Sequence, residues 1–219
     1  MSPRPDVSAE RKAQILDAAL RVFARKGFHR ARMDDIAEEA GLSKGLLYWY
    51  FRSKDALIES LLTLLFEPDL RDLERLLAET TRPIPERLRE LANNALSTLL
   101  PYRELMPIVY EFYALATRPG PVQKAIQAYY RRYRELLAQL LRQGVERGEL
   151  RADLDADLTA LALLAQFEGL ALLWIIGPEE LNIEQQWQAI AAQTLATLLP
   201  ERARQPDNGQ EPAGDQAAS

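Results

Sequence analysis

Apolar residues recur along this chain at the three- and four-residue spacing of helices, and strand-like alternation is almost absent. Ile15, Ala19 and Val22, for example, share one face of a first helix over residues 10–26, which Gly27 ends. The same spacing predicts further helices over residues 34–40, 44–51, 53–77 (interrupted or kinked at Pro68), 86–100, 101–116 (Pro107 at or near a kink), 122–147, 155–176 and 184–199. The pattern therefore predicts an all-α protein of about nine helices.

Changes in composition divide the chain into four segments. Residues 1–9 are polar and predict a flexible N-terminal arm, and residues 10–54 hold the three helices of a small first domain. Residues 55–200 form a larger helical domain. Residues 201–219 contain no large apolar side chain, which predicts a disordered tail.

Residues 33–52 have the layout of a helix-turn-helix, with two short helices joined by a tight turn. Ala37 is small where the two helices would cross, and Gly41 permits the positive φ that the turn requires. An ordinary helical hairpin would share these two features. The outer face of the second short helix favours the helix-turn-helix, because it carries Tyr48 and Trp49, which are costly to expose unless they bind something.

The charge of the chain is unevenly distributed. Residues 1–54 hold 11 Lys/Arg and seven Asp/Glu, a net charge of +4, within a chain whose net charge is −5. A basic first quarter on an acidic body suggests that one end meets a polyanion, although a +4 segment also arises by chance. Cationic and aromatic groups on one helix suit DNA, where cations bind phosphates and rings contact sugars or thymine methyls.

Several classes of function are excluded or disfavoured by the composition. The chain has no cysteine and a single histidine, His29, which excludes disulfides, thiol catalysis and a multi-histidine metal site. No paired catalytic groups and no phosphate-binding glycine loop are visible. The N-terminus has no apolar stretch, and the apolar run at 160–176 is interrupted by Gln166 and Glu168. We therefore expect a cytoplasmic protein that is not an enzyme and does not enter a membrane.

Residues 28–57, FHRARMDDIAEEAGLSKGLLYWYFRSKDAL, resemble the DNA-binding segment of the tetracycline-repressor (TetR) family of transcription regulators. The stretch IAEEAGLSKGLLYWYFRSKDAL carries most of the resemblance, and the close match extends over residues 10–57. The resemblance implies a three-helix DNA-binding domain followed by a helical domain for ligand binding and dimerisation.

The resemblance also implies roles in DNA binding for the matching positions. Ser43 would cap the recognition helix, and Lys54 would contact a phosphate. Arg32 stands where the family often has Ser or Thr, so it can pair with phosphate but cannot cap the second helix. Leu46 stands where a smaller or polar residue is frequent, and it either packs on a thymine methyl or is structural. The expected DNA-binding residues are Arg32, Ser43, Lys44, Gly45, Leu46, Tyr48, Trp49, Tyr50 and Lys54.

Two C-terminal helices carry enough apolar surface to meet a second subunit. Residues 160–176 are apolar nearly all round, which requires burial on more than one side. The resemblance implies that this helix and the last one pair with their twins in a four-helix interface. A helix-turn-helix protein also gains specificity from two half-sites. The expected interface residues are Leu161, Leu164, Leu172, Trp187, Ile190, Ala191, Thr194, Leu195 and Leu198.

Aromatic side chains concentrate in residues 60–176, where the family resemblance implies a cavity for an effector. Each of them could equally be part of the core. Glu168, inside the apolar helix, either binds a cationic or hydroxylated effector, pairs with an arginine, or reaches a solvated edge. The candidate pocket residues are Tyr102, Tyr110, Phe112, Tyr113, Phe167, Glu168 and Trp174.

Together these expectations describe a homodimeric repressor that binds a near-palindromic double-stranded DNA operator. A small apolar or amphipathic effector would release it, and no cofactor or metal is expected. The alternative is a DNA-binding regulator of the same fold that is controlled by a protein partner, or that binds constitutively.

Overall fold

A computed structural model describes residues 7–201 of the chain. Within that range the protein contains nine α-helices, one 3-10 helix and no strand, so the predicted all-α fold is confirmed. The α-helices are α1 (Val7–Lys26), α2 (Met33–Glu39), α3 (Lys44–Tyr50), α4 (Lys54–Ala78), α5 (Ile84–Leu99), α6 (Met106–Ala116), α7 (Pro121–Glu146), α8 (Ala156–Ile176) and α9 (Ile183–Leu198). The 3-10 helix Leu100–Leu105 joins α5 to α6.

The two predicted terminal segments fall almost entirely outside the described residues. The first helix begins at Val7, so the last three residues of the predicted arm are helical, and residues 1–6 are not described. The predicted tail at 201–219 is described only at Glu201. The side chain of Tyr102, a predicted pocket residue, is likewise outside the description.

The first three helices form the predicted helix-turn-helix unit. Ile15, Ile36 and Leu47, one from each helix, are completely buried in a common core. Gly41 has a φ of +64°, as the turn between α2 and α3 requires. The hydroxyl of Ser43 accepts a hydrogen bond from the backbone N–H of Leu46 at 3.2 Å, which confirms the predicted N-cap of α3.

A cluster of three phenylalanines joins this unit to the larger helical body. Phe23 of α1, Phe28 of the following loop and Phe112 of α6 meet edge to face, with ring centroids 5.6–6.1 Å apart. The core of the first three helices therefore continues directly into the body, through α6 and the beginning of α7.

Helix α4 runs from the helix-turn-helix unit into the body without a break. It continues through Pro68, where the sequence predicted an interruption or a kink. Proline costs a helix one hydrogen bond, but Leu73 and Leu76, on the next two turns, are completely buried with Leu137 of α7. This packing holds both halves of α4 in one helix. Pro107 lies in the first turn of α6, where proline is tolerated, and the 3-10 helix precedes it.

The predicted helix over residues 155–176 is confirmed as α8, which packs against α7 and α9. It is the one helix in residues 7–201 that is long and apolar enough to cross a membrane by length and composition. One side carries the buried residues Ala160, Leu170, Ala171 and Trp174. The other side is exposed and equally apolar.

Candidate DNA-binding surface and ligand cavity

Helix α3 exposes aromatic side chains on the surface of the helix-turn-helix unit. Trp49 is 71% exposed and Tyr48 is 46% exposed, while Leu47, the residue before them, is fully buried. Leu46 and Gly45 are also exposed, and no atom lies near the position of a Cβ on Gly45. The predicted outer face of the recognition helix is therefore present, with the backbone at Gly45 open to a close approach.

Charged groups flank this aromatic surface. The ammonium of Lys44 is exposed and pairs with the carboxylate of Asp34 on α2. Arg32 is exposed just before α2, and its side chain makes no capping hydrogen bond. Asp35 supplies the cap instead, since its carboxylate accepts the backbone N–H of Arg32 at 2.9 Å. Lys44 and Arg32 are thus both exposed at the start of their helices, and their predicted contacts with phosphates stay predictions.

Two of the predicted DNA-binding residues face the protein. Tyr50 is partly buried against the core of the helix-turn-helix unit. The ammonium of Lys54 donates to the carbonyls of Phe28 and Ala31 at 2.6 and 3.0 Å and lies 4.1 Å from the centroid of the Phe28 ring. Burial lowers its pKa. In the DNA-free chain the side chain of Lys54 turns back to tie the loop between α1 and α2 to α4, which favours a structural role, and its predicted contact with a phosphate stays a prediction.

Replacing Lys54 with alanine should therefore reduce stability without reducing the charge that DNA encounters. Loss of two charge-assisted hydrogen bonds should lower the free energy of unfolding by about 1–3 kcal/mol in urea titrations. The dependence of DNA affinity on salt should keep its wild-type slope. A slope reduced by about one would instead assign Lys54 to a phosphate. Lys12→Ala, at an exposed position of α1, is the matched control and should leave stability unchanged.

A cavity of about 160 Å³ lies in the body, between α4, α5, α6, α7, α8 and α9. Of the predicted pocket residues, Tyr113, Phe167 and Glu168 line it. Three others do not. Phe112 is fully buried in the phenylalanine cluster next to the helix-turn-helix unit, Trp174 is buried behind the wall in the apolar cluster that also holds Trp187, and Tyr110 is partly buried with its ring against that of Tyr113. The prediction that these three residues line the cavity was therefore wrong.

Several residues of the cavity wall were not predicted as pocket residues. They include Phe66, Asp69, Tyr129, Tyr133 and Trp187. The rings of Phe66 and Tyr129 are stacked, with centroids 4.0 Å apart, and the rings of Phe167 and Trp187 meet edge to face at 5.0 Å. The position of Asp69 among the apolar residues of α4, from Leu62 to Leu73, was the signal that could have revealed it.

The cavity contains two carboxylates and no basic side chain lines it within the described chain. The pKa of Asp69 is raised from 3.8 to about 6, chiefly by burial and in smaller part by the neighbouring Asp72 and Glu168, while a 3.5 Å hydrogen bond from the Tyr129 hydroxyl lowers it. Burial also raises the pKa of Glu168, opposed by an interaction with the Tyr130 hydroxyl. Both carboxylates are therefore held in an environment that disfavours their charge.

This environment predicts a pH-dependent cost of Asp69 to stability. Between pH 3.8 and about 6 the folded protein binds more protons at Asp69 than the unfolded chain, so the free energy of unfolding falls as the pH rises. Asp69→Asn should raise that free energy by about 1–3 kcal/mol at pH 8, and the gain should shrink as the pH is lowered towards 4. Urea titrations at several pH values measure it. Asp153→Asn, at an exposed position, should change stability by less than about 0.5 kcal/mol, and an unchanged Asp69→Asn protein would contradict the account.

Helix α8 exposes a continuous apolar surface. Nine large apolar side chains are exposed in residues 7–201, and five of them lie on α8. We call these five residues the α8 face: Leu158, Leu161, Leu172, Leu173 and Ile176. The small residues Ala162, Ala165 and Gly169 continue the same stripe. Apolar patches of this kind usually mark an interaction surface.

The structure changes the predicted interface on the last helix. Trp187, Leu195 and Leu198 are buried within the subunit, and the indole N–H of Trp187 donates to the carbonyl of Ala92 at 2.7 Å. These three residues are unavailable to a partner, because the apolar stripe of α9 faces the core of its own subunit. The other predicted residues on α9 are partly buried: Ala191 and Thr194 line the cavity, and Ile190 packs against the core. Leu164 on α8 is also partly buried and lines the cavity. Leu161 and Leu172 belong to the α8 face, and their place in an interface stays a prediction.

Two family models match the chain. The model of bacterial regulatory proteins of the tetR family matches residues 15–61, and the model of the C-terminal region of BetI-type transcriptional repressors matches residues 85–200. The second match alone covers more than half of the 219 residues. The chain therefore belongs to the TetR family of DNA-binding transcriptional regulators, which confirms the resemblance found in its sequence and the expectation that it is not an enzyme.

Curated relatives are similar over part of their length. The regulator TtgR of Pseudomonas putida is 45% identical over 58 residues, which are 26% of this chain and 28% of TtgR. UidR of Escherichia coli is 40% identical over 73 residues, which are 33% of this chain and 34% of UidR. The similarity to these relatives thus spans about a third of their length.

Solved structures share the fold over most of the chain. A transcriptional regulator from Pseudomonas aeruginosa PAO1 is 28% identical, with a TM-score of 0.75 over 85% of this chain and 89% of that one. SmeT of Stenotrophomonas maltophilia, in complex with triclosan, is 23% identical, with a TM-score of 0.74 over 94% and 100%. FadR of Bacillus subtilis, in complex with stearoyl-CoA, is 21% identical, with a TM-score of 0.73 over 85% and 98%. These neighbours confirm the predicted fold of a helix-turn-helix domain and a helical C-terminal domain.

Proposed function

We propose that this protein is a cytoplasmic homodimeric repressor that binds a near-palindromic operator and is released from it by a small molecule. Residues 10–54 act as the DNA-binding domain and residues 55–200 as the domain for effector binding and dimerisation. The observation that carries the proposal is the exposed aromatic surface of α3. Trp49 and Tyr48 remain largely exposed to solvent in the single subunit. Lys44, Arg32 and Ser43 surround them on the side that would meet phosphates.

The α8 face forms the contact with the second subunit. Five large apolar side chains along five turns of one helix would be costly to leave in water. A second copy of the same helix, related by two-fold symmetry, would bury these side chains, because the same apolar surface then lies on both sides of the interface. The outer side of α9, with Ala189, Ala192 and Ala196, lets a helix of the partner approach closely. Two α3 helices are then presented together, as a palindromic operator requires.

A polar contact connects the cavity-bearing body to the DNA-binding domain. The carboxylate of Glu111 on α6 accepts the backbone N–H of Phe28 at 2.8 Å. Tyr113, two residues further along α6, lines the cavity, and its hydroxyl accepts a hydrogen bond from Tyr130 at 2.7 Å. A ligand that moves α6 therefore moves the end of α1. The movement would change the separation of the two α3 helices and weaken operator binding. The complexes of SmeT with triclosan and of FadR with stearoyl-CoA support a small-molecule effector for this fold.

The test is fluorescence anisotropy on labelled DNA from upstream of the protein's own gene, followed by a screen for compounds that release it. The proposal expects tight, salt-dependent binding, release by at least one compound, and a matching loss of that compound's affinity when operator is present. Release without this reciprocal loss would contradict the two-state scheme. Binding that no compound releases would favour the alternative, a regulator controlled by a protein partner or a constitutive binder.

A further inference from the structure

The chemistry of the cavity wall restricts the class of ligand that can fill it. The polar groups that could accept or donate a hydrogen bond are carboxylates, tyrosine hydroxyls, Thr98, Thr194 and Gln166, and no lysine, arginine or histidine contributes among the described residues. Asp69 stands on α4 and Glu168 on α8, so the two carboxylates reach the cavity from different helices. An anionic ligand would meet negative charge without a compensating cation.

The carboxylates have tyrosine hydroxyls as partners, Tyr129 for Asp69 and Tyr130 for Glu168, but no cation in the described chain. Asp69 has one long hydrogen bond, 3.5 Å from the Tyr129 hydroxyl, and its nearest charged neighbours are Asp72 and Glu168, which are also acidic. Glu168 forms no ion pair within residues 7–201. The sequence had left open an arginine partner for Glu168, and none is present in this part of the chain. Burying a charged carboxylate without a cation costs free energy. A ligand that brings a cation would remove this cost, and its binding would be stabilised accordingly.

Aromatic faces surround the same space. Phe66, Tyr129 and Tyr133 form one connected group of rings in the wall, and Phe167 and Trp187 form a second pair of rings in it. Tyr133 also lines the cavity, with its ring centroid 5.9 Å from that of Tyr129. Aromatic rings attract cations through their π faces, and they are apolar enough to hold the alkyl groups of a quaternary ammonium ion. Rings and carboxylates thus favour the same ligand.

We propose that the effector cavity is built for an amphipathic organic cation, whose charge lies between Asp69 and Glu168 and whose apolar part packs on the aromatic wall. This inference rests on the proposed function for its regulatory meaning, but the binding of the cation can be measured without DNA. Neutral and anionic ligands of the same shape bind more weakly, because they leave two carboxylates without a counter-charge.

The test compares three probes of similar shape by isothermal titration calorimetry on the full-length protein at pH 8. The probes are phenyltrimethylammonium, its neutral carbon counterpart tert-butylbenzene, and the anion benzoate. Phenyltrimethylammonium should bind at least about tenfold more tightly than either of the others. Equal or tighter binding of tert-butylbenzene or benzoate, or no binding of the cation, would overturn the proposal.

The double variant Asp69→Asn/Glu168→Gln shows whether the carboxylates cause the preference. It should lose at least about tenfold in affinity for phenyltrimethylammonium and keep its affinity for tert-butylbenzene within about twofold, which also shows that the cavity is intact. Asp157→Asn/Glu184→Gln, which removes two exposed carboxylates outside the cavity, is the matched control and should bind the cation like the wild type. Wild-type affinity of the cavity variant for the cation would refute the assignment.

Lowering the pH provides an independent readout. The preference for the cation should decrease from pH 8 to pH 5, because Asp69, with its pKa raised to about 6, becomes protonated in this interval. The groups that face it are Asp72, Glu168, Tyr129 and Tyr133, and the tyrosines stay neutral throughout because burial raises their pKa. The only histidine, His29, lies between α1 and α2 and away from the cavity wall. A preference that grows as the pH falls would contradict the proposal.

Operator release separates this inference from the proposed function. If phenyltrimethylammonium binds with the expected preference but does not change operator affinity, the cation site stands and the mechanism of release fails. If a neutral or anionic compound binds the cavity better and releases operator, the proposed function stands and the cation site fails.

Discussion

Operator affinity should fall at least about a hundredfold when Tyr48 and Trp49 are both replaced with alanine. Both side chains are largely exposed on α3, so in the free protein their removal should change the free energy of unfolding by less than about 0.5 kcal/mol. In the complex with DNA, the variant lacks ring contacts with sugars and bases that contribute about 1–3 kcal/mol of binding free energy per subunit. A dimer lacks these contacts in both subunits. Anisotropy titration of the double variant against labelled operator measures the loss.

The matched control is Leu64→Ala, which removes a 51% exposed apolar side chain from α4, outside α3. This variant should bind operator like the wild type. If the Tyr48/Trp49 variant kept its affinity within about threefold, the exposed aromatic surface would not be the DNA-binding surface, and the proposed function would lose the observation on which it rests.

Introducing glutamate at Leu161 and Leu173 should convert the protein from a dimer to a monomer. Leu173 is 58% exposed in the subunit, so a single chain tolerates the charge, whereas a two-fold interface would bury four unpaired carboxylates at a cost of several kcal/mol each. Operator affinity should fall by at least about a hundredfold, because one α3 then contacts one half-site. Sedimentation velocity reports the mass, and anisotropy reports the affinity.

Leu64→Glu controls for the effect of an added charge, since Leu64 is comparably exposed but lies on α4, outside the α8 face. It should sediment as a dimer and bind operator normally. A Leu161→Glu/Leu173→Glu protein that sediments with the wild-type mass would place the interface elsewhere.

The DNA-binding domain could be predicted closely because its signals are local. The turn at Gly41 has a positive φ, which favours glycine, and the start of α3 has an unpaired N–H, which Ser43 caps. Leu47 is buried where the helical spacing of apolar residues places the core. Each signal acts within a few residues. The contacts of Lys54 could not be predicted in this way, since nothing local shows that its ammonium reaches back 23 and 26 residues to two carbonyls.

The ligand cavity could be predicted only in part, because its wall is assembled from six helices. Periodicity shows that α9 has one apolar side but does not show whether that side meets its own subunit or a partner. Trp187 was therefore assigned to an interface and lies at the cavity wall. At Pro68 the predicted interruption is absent, because packing of the following turns on α7 outweighs the hydrogen bond that proline removes, and the alternative of a kink stays a prediction. Glu168 was identified correctly as unusual, since a carboxylate in an apolar helix is conspicuous in the sequence itself.

Two α3 helices, held together through the α8 face, should bind DNA in a sequence-specific way. Selection of duplexes from a random-sequence pool by the purified full-length protein tests it most directly. The account predicts enrichment of two inverted half-sites whose centres are about 34–36 Å apart, and no enrichment by the Tyr48→Ala/Trp49→Ala variant. Recovery of no common sequence, or of a single half-site without its inverted copy, would contradict it.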